Sequence, residues 1–267
     1  VSAEPTFDDR PLVTPRTLRH DLAGLGIGSG SVVIVHSSLS SIGWVLGGAE
    51  SVVRELIRAV GDAGTLVMPA ATPRCADPAT WLGRSVSPSK LSELRDHLPI
   101  FDARTTPTTL GAIPETFRNW PGTNRSTHPV ESVSARGPHA ERVTDRHPLP
   151  FSEGHDGPFG RLFELDCQIL LLGVGFDRCT ALHYAESLVP SRRTTTVRFP
   201  ALEDGRRVWK EVPNVADDNG AHFPRIGEEY LQSDGNRREG KVGKAAAMLV
   251  PMRELVDFAV GYFERTL

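Results

Sequence analysis

The segment QILLLGVGFDRCTALHYAES at residues 168–187 runs through an unbroken apolar stretch, stops at glycine, and then presents His183 and Glu186. Residues three apart share one face of a helix, so a carboxylate at this spacing can orient an imidazole directly or through another group. A base held by an acid in this way suits removal of a proton from an attacking nucleophile. The same HxxE spacing also fits a hydrogen-bonded core histidine, so other residues must decide. Cys179 adds a candidate thiol nucleophile beside the pair, although a buried small hydrophobe is the commoner role for a lone cysteine.

A second chemical segment, HSSLSSIGWVLGG at residues 36–48, begins where one apolar run ends and finishes where a helical pattern starts. At such junctions α/β proteins offer backbone N–H groups to anions, and Ser37, Ser38, Ser40 and Ser41 add hydroxyl donors. It is neither GxGxxG nor GxxxxGKS, and a structural serine-rich loop fits it as well as a phosphate cradle. A third, NRSTHP at residues 124–129, places a cation, a hydroxyl and an imidazole on an expected turn. Arg125 there could meet a phosphate, Ser126 could donate to a carbonyl or phosphate, and His128 could act as a second base, against the alternative of a solvated turn. Asp177 and the pair Asp217 and Asp218 would suit a polycationic ligand, as would many surface aspartates that bind nothing. No metal is expected, because the nine histidines include neither HxxxH nor HExxH and the three cysteines lack ligand spacing. No GxSxG nucleophile elbow is present.

Positioning these groups requires strands and helices that the pattern supplies. Residues 31–36 (SVVIVH) and 65–69 (TLVMP) read as buried strands around a helix opened by Gly47 and Gly48, with Val52, Val53, Leu56, Ile57 and Val60 at helical spacing. The run at residues 169–172 is a further strand buried on both faces, followed by a helix that Asp177 or Thr180 can cap. Thr14 and Pro15 mark the start of a helix with Leu18, Leu22 and Leu25 on one side. Helices are expected near residues 89–97, 111–120 and 138–146, a strand at residues 130–135, and an extended connection through the rest of residues 73–110. EDGR at residues 203–206 joins two strand patterns into a hairpin, expected to extend the sheet antiparallel. From residue 251 an amphipathic helix docks through Leu255, Val256, Ala259, Tyr262 and Phe263. The expected fold class is α/β, a mixed sheet with helices on both faces and an added antiparallel hairpin.

Bulk composition narrows the partners. With 39% hydrophobic and 24% charged residues the 267-residue chain reads as an ordinary soluble globular protein. A net charge of -3 argues against nucleic acid as the main partner. No apolar stretch approaches the roughly 20 residues that span a bilayer, so no membrane role is expected. VSAEPTFDDR lacks the features of a secretory leader, and unpaired cysteines suit a reducing compartment, together implying a cytoplasmic protein.

Five ordered blocks, HSSLSSIGWVLGG, GTLVMP, LGAIPETFRNWPGTNRSTHP, LLLGVGFDRCTALHYAES and REGKVGKAAAMLV, closely resemble the aminoglycoside 3-N-acetyltransferase family. The resemblance runs from about Thr14 to the C-terminus. It implies one catalytic domain over residues 14–267 behind a polar leader at 1–13, on a fold distinct from the GNAT acetyltransferase fold. It also implies acetyl transfer from acetyl-coenzyme A to the 3-amino group of a 2-deoxystreptamine aminoglycoside. By position, His183 would be the general base and Glu186 its orienting partner. Ser37, Ser38, Leu39, Val45, Gly47 and Gly48, with Ser126 and His128, would line the coenzyme channel. Ser126 or backbone N–H groups of residues 36–48 would steady the oxyanion. Asp177, Asp217, Asp218 and Glu186 would hold the antibiotic's ammonium groups. One departure concerns acceptor range: where the family commonly has a small or polar pair between Asp177 and Thr180, this chain has Arg178 and Cys179. The rivals are an acyltransferase of the same fold acting on a biosynthetic amine, and a noncatalytic protein that sequesters cationic antibiotics.

Overall fold

The computed structural model describes residues 11–82, 86–216 and 220–267. The first part of the chain forms β1 (Leu12–Val13), α1 (Pro15–Gly24), β2 (Val32–Ser37), α2 (Leu39–Ile42), β3 (Trp44–Val45), α3 (Gly48–Val60) and β4 (Thr65–Pro69). The middle adds α4 (Pro78–Trp81), α5 (Pro88–His97), α6 (Ala112–Arg118), β5 (Asn124–Arg125), β6 (Val133–Arg136), α7 (Ala140–Thr144) and α8 (Pro158–Glu164). The last part contains β7 (Gln168–Leu172), α9 (Ala181–Leu188), β8 (Thr194–Glu203), β9 (Arg206–Val215), α10 (Phe223–Gln232), β10 (Arg238–Val242), β11 (Ala245–Pro251) and α11 (Met252–Thr266).

A seven-stranded sheet runs β10-β11-β7-β2-β4-β6-β5. Its centre is parallel, with β2 between β4 and β7, and antiparallel strands flank it on both sides. The central strands are apolar at successive positions because both faces are covered. Alternation divides them cleanly. Val33, Val35, Leu66, Met68, Leu170 and Leu172 pack with α1, α3 and α6, whereas Ile34, Val67, Ile169 and Leu171 pack with α9, α10 and α11. The mixed sheet with helices on both faces is therefore as expected.

Local chemistry explains the element ends. Thr14 accepts from the Thr17 backbone N–H at 3.2 Å and Pro15 opens α1, so a cap and a fixed φ begin the helix together. Glu55 sits on the buried face of α3 and is fully enclosed; Arg19 at 2.9 Å and Arg58 at 2.7 Å neutralise it and tie α3 to α1. Asp204 and Gly205, with φ of 51° and 74°, make the tight turn that the EDGR pattern anticipates.

One feature differs from expectation, and two others carried none. The β8-β9 hairpin forms its own two-stranded sheet rather than joining the main one; Asp77 anchors it instead, receiving Arg95 from α5 and Arg198 from β8 at 2.8 and 3.4 Å. At the end of the polar leader, Leu12 and Val13 are ordered in parallel pairing with Trp44 and Val45, which folds the leader's last residues against the segment at 36–48. Finally, REGKVGKAAAMLV makes the β10-β11 hairpin, with Gly243 at φ 59° opening its two-residue turn. No helix among the described residues is long and apolar enough to cross a membrane.

Candidate active site

Strands β2 and β7 run parallel and end together, Ser37 opposite Leu172, with the Ser38 N–H donating to the Leu172 carbonyl at 3.0 Å. Beyond that point the chain parts: after β2 it passes to α3 on one face, and after β7 to α9 on the other. Neighbouring parallel strands whose helices diverge leave a crevice at their carboxyl ends. Here it is a cleft of about 690 Å³. His36, Ser37, Ser38, Leu39 and Ser40 form one wall, the glycine loop with Asp177, Arg178 and Thr180 a second, and residues 109–114 a third.

The serine loop is held from within. Ser41 donates to the Gly173 carbonyl at 3.0 Å and lies 3.0 Å from the Ser38 hydroxyl, which in turn sits 3.1 Å from Ser40. Its far end differs. Val45 is buried in the core, and Gly47 and Gly48, with φ of 81° and 58°, lead into α3 without lining the cleft.

His183 and Glu186 occupy consecutive turns of α9, with Nδ1 and Oε2 3.5 Å apart. This is ion-pair distance without hydrogen-bond geometry, and Oε2 of Glu186 has no hydrogen-bond partner among the described residues. The histidine side chain keeps 22% of its surface and the glutamate 8%, so the imidazole can meet a ligand while the carboxylate backs it from inside. Phe223 meets the imidazole edge-on at 4.6 Å, fixing its plane. The pair lies outside the lining of the cleft itself. Thr180, one turn earlier, is where α9 reaches that wall. A carboxylate placed in this manner orients the imidazole, which is what a general base requires.

NRSTHP proves to be neither a solvated turn nor a cleft wall. Arg125 donates to the carbonyls of Ala70, Ala103 and Thr106 and lies over the Phe101 ring, clamping residues 101–106 to the sheet edge. Ser126 is fully buried, accepting from the Val133 N–H and bonded to His147 Nδ1, both at 2.9 Å. His128 Nδ1 accepts from the N–H groups of Val130 and Glu131, so its Nε2–H donates to the Leu149 carbonyl at 3.2 Å. The same logic makes His147 donate from Nε2 to the Ser152 carbonyl at 2.9 Å and receive the Ser126 hydroxyl at Nδ1. Both rings are thereby fixed as neutral tautomers, with centroids 4.7 Å apart and planes tilted by 33°.

Burial holds these imidazoles well below their ordinary range: His36 at about 4, His128 at about 4 and His147 at about 3. The unfolded chain takes up their protons near pH 6.5, whereas the folded chain resists until about pH 4 or 3. Stability is therefore full above pH 6.5 and falls as pH drops toward 4, by an upper figure on the order of 3 kcal/mol per histidine. Thermal melts in a pH series should show a steep decline across this window, and a flat profile between pH 7 and 4.5 would contradict the buried neutral assignment.

Asp177 and Arg178 both line the cleft mouth and pair with each other at 3.1 Å, both side chains more than half exposed. Arg178 thus faces the ligand space and offsets the charge of Asp177. Cys179 points the other way: it is fully buried and burial pushes its thiol up to about 12, which excludes a thiolate nucleophile there. Asp217 and Asp218 lie outside the described residues. No group of three or more His, Cys, Asp or Glu side chains able to hold a metal occurs among the described residues. Beyond the expected residues the cleft gains His36 and the wall at 109–114. The only sequence sign of His36 is a polar residue closing an apolar strand, and residues 109–114 read as a helix start.

A family model for aminoglycoside 3-N-acetyltransferases matches residues 34–264. The SPbeta prophage-derived aminoglycoside N(3')-acetyltransferase-like protein YokD of Bacillus subtilis (strain 168) is 38% identical over 252 residues, covering 94% of this chain and 92% of its own. The crystal structure of YokD superposes with a TM-score of 0.91 at 37% identity, covering 96% and 95% of the two chains. The structure of AAC-IIIb in a binary complex with CoASH gives a TM-score of 0.82 at 32% identity, covering 96% and 97%. AAC-VIa bound to sisomicin gives 0.84 at 30% identity, covering 96% and 98%.

Proposed function

The chain belongs to the aminoglycoside 3-N-acetyltransferase family, and from that premise we propose that it transfers the acetyl group of acetyl-coenzyme A to the 3-amino group of a 2-deoxystreptamine aminoglycoside. The observation that carries this reading is the His183–Glu186 pair on α9, beside a cleft at the carboxyl ends of β2 and β7. An aminoglycoside amine is largely an ammonium at neutral pH and cannot attack a thioester until it loses a proton. His183 takes that proton, and Glu186 favours the imidazolium that results. Both substrates are held together and the acetyl group passes directly, without an acyl-enzyme. Residues 14–267 act as one catalytic domain.

Ser37, Ser38 and Leu39 receive the coenzyme, in keeping with their place in the cleft wall and with the CoASH complex of AAC-IIIb. Gly47, Gly48 and Val45 serve the same site by shaping the loop, and Ser126 and His128 by bracing the sheet edge. Asp177, together with Asp217 and Asp218, meets ammonium groups of the acceptor, whereas Glu186, enclosed behind His183, acts through the imidazole rather than on the acceptor. Charge-assisted contacts of roughly 1.5–3 kcal/mol each can hold a ligand with little apolar surface. Acetyl-coenzyme A is an intracellular metabolite, so the enzyme works in the cytoplasm, where modification of the antibiotic gives resistance.

The deciding experiment is thiol release from acetyl-coenzyme A with a panel of aminoglycosides, followed by NMR location of the acetylated nitrogen. Release with acetylation at the 3-amino group is expected. Silence across the panel with coenzyme still bound would move the acceptor to another amine. The same assay tests Arg178, whose cation offsets Asp177 at the cleft mouth. Arg178→Ala should lower KM for the most cationic acceptors by about two- to fivefold, no more, because exposed pairs are weak and screened by salt. An unchanged KM at low ionic strength would remove Arg178 from acceptor recognition.

A further inference from the structure

His36, the last residue but one of β2, lines the cleft, and it is 94% buried, with a relative exposure of 6%. Its Nε2 is enclosed and has no hydrogen-bond partner among the described residues; the hydroxyl of Ser37, also in the cleft wall, shares that condition. Buried polar atoms in folded proteins are almost always paired, because an unpaired one costs stability that an apolar side chain would not. β2 is otherwise built of valine and isoleucine up to this point, and leucine here would complete the same core. An enclosed nitrogen in the wall of a cleft therefore points to a polar atom of a bound ligand.

Strand alternation says on which side that ligand atom lies. Val33 and Val35 pack toward α1 and α3, whereas Ile34 packs toward α9 and α11. His36, two residues beyond Ile34, projects to the α9 side, and its register partner on β7, Leu171, belongs to the α9 core. The same side of the sheet carries His183 and Glu186. The ring has no carboxylate partner among the described residues, and burial keeps it uncharged at neutral pH, with its ordinary value of 6.5 lowered to about 4. A neutral imidazole N–H donates a hydrogen bond without surrendering its proton, as stabilisation of a developing oxyanion requires.

We propose that His36, through Nε2–H, donates to the acetyl oxygen as negative charge develops there, while His183 takes the proton of the attacking amine. This rests on the acetyl-transfer reading above. The amine lone pair forms the new C–N bond and the carbonyl π pair moves to oxygen, where His36 holds it. That pair then returns as the C–S bond breaks, and the bonding electrons leave on sulfur. The ammonium's first proton has by then left to solvent through His183; the second, lost as the amine attacks, passes to His183 and on to the thiolate, giving amide, free thiol and one released proton with no other reactant.

Two variants and one spectrum test the assignment. His36→Leu removes the donor and fills the site; His36→Gln retains an N–H at similar reach. The leucine variant should lose roughly 10²–10³-fold in kcat with KM for both substrates little altered, and the glutamine variant should recover a substantial part. A leucine variant with kcat near that of the unmodified enzyme, or a loss confined to KM, overturns the proposal. Should the leucine variant fail to fold, ¹⁵N-histidine NMR of the unmodified protein decides. The imidazole resonance missing from the His36→Gln spectrum should be an Nε2–H tautomer that moves downfield on adding acetonyl-coenzyme A, a ketone analogue that cannot transfer acetyl. An Nδ1–H tautomer or an unmoved resonance overturns it. Failure of the unmodified chain to release thiol with any aminoglycoside would instead sink the acetyl-transfer reading and this proposal with it.

Discussion

Replacing His183 with alanine should lower kcat by about 10²–10⁴-fold, the usual contribution of a positioned general base, while coenzyme binding stays intact. The attacking amine would then have to lose its proton to water, at a site where Glu186 is too enclosed to substitute. Stability should suffer for a separate reason. Removing the imidazole takes away an edge contact with Phe223 and leaves the enclosed Glu186 carboxylate without the partner 3.5 Å away. Adding Glu186→Gln to His183→Ala removes that stranded charge, so the double variant should melt higher than the single one and remain equally inactive. Turnover by the single variant within tenfold of the parent would sink His183 as the base. Recovery of turnover in the double variant would show that the loss came from the fold.

The strands that frame the site are legible because burial on both faces demands uninterrupted apolar runs: VVIV, TLVM and ILLL lie where the parallel centre of the sheet lies. The β8-β9 turn is equally readable, since two successive left-handed residues select Asp-Gly. Whether that hairpin joins the main sheet is not a local property. It depends on Asp77, Arg95 and Arg198, far apart in sequence, which hold the hairpin beside α5 instead. Polar residues are ambiguous in the same way. Arg125, Ser126 and His128 have the types expected of a ligand site, yet their donors and acceptors are used up by backbone carbonyls, backbone N–H groups and His147. His36 shows the converse: an inconspicuous residue in sequence whose enclosed, unpartnered nitrogen emerges only once the neighbouring strands surround it. The spacing of His183 and Glu186 is readable because α9 alone sets it; their distance from the cleft wall depends on how α9 packs on β7, which spacing does not encode.

Gly173→Ala should be the most damaging single methyl in the site. Gly173 follows β7 at φ 69°, and a Cβ there would come within 2.6 Å of the Ser41 Cβ and 3.1 Å of the Ala245 Cβ. Neither neighbour is a flexible tip that can swing aside. Ser41 is tied to the Gly173 carbonyl and to Ser38, and Ala245 begins β11, whose Ala246 carbonyl accepts from the Gly173 N–H at 2.8 Å. The left-handed backbone costs an alanine roughly 1–2 kcal/mol, and overpacking adds about 1–3 kcal/mol. A chain of this size should melt roughly 4–15 °C lower. Relief of the overlap must push Ser41 away, and with it Ser38 and Ser40, so KM for acetyl-coenzyme A should rise about tenfold even at temperatures where the variant is folded. Gly205→Ala separates the two causes. Gly205 has a similar φ of 74° but nothing within 4 Å of its Cβ, so its alanine variant should bear the conformational cost alone and leave KM unchanged. If the two variants behave alike in both melting and KM, then left-handed backbone rather than the close meeting of the serine loop with β7 and β11 governs this corner of the site. If only Gly173→Ala loses coenzyme affinity, the one missing methyl at the end of β7 is what lets the serine loop close over the carboxyl ends of the parallel strands.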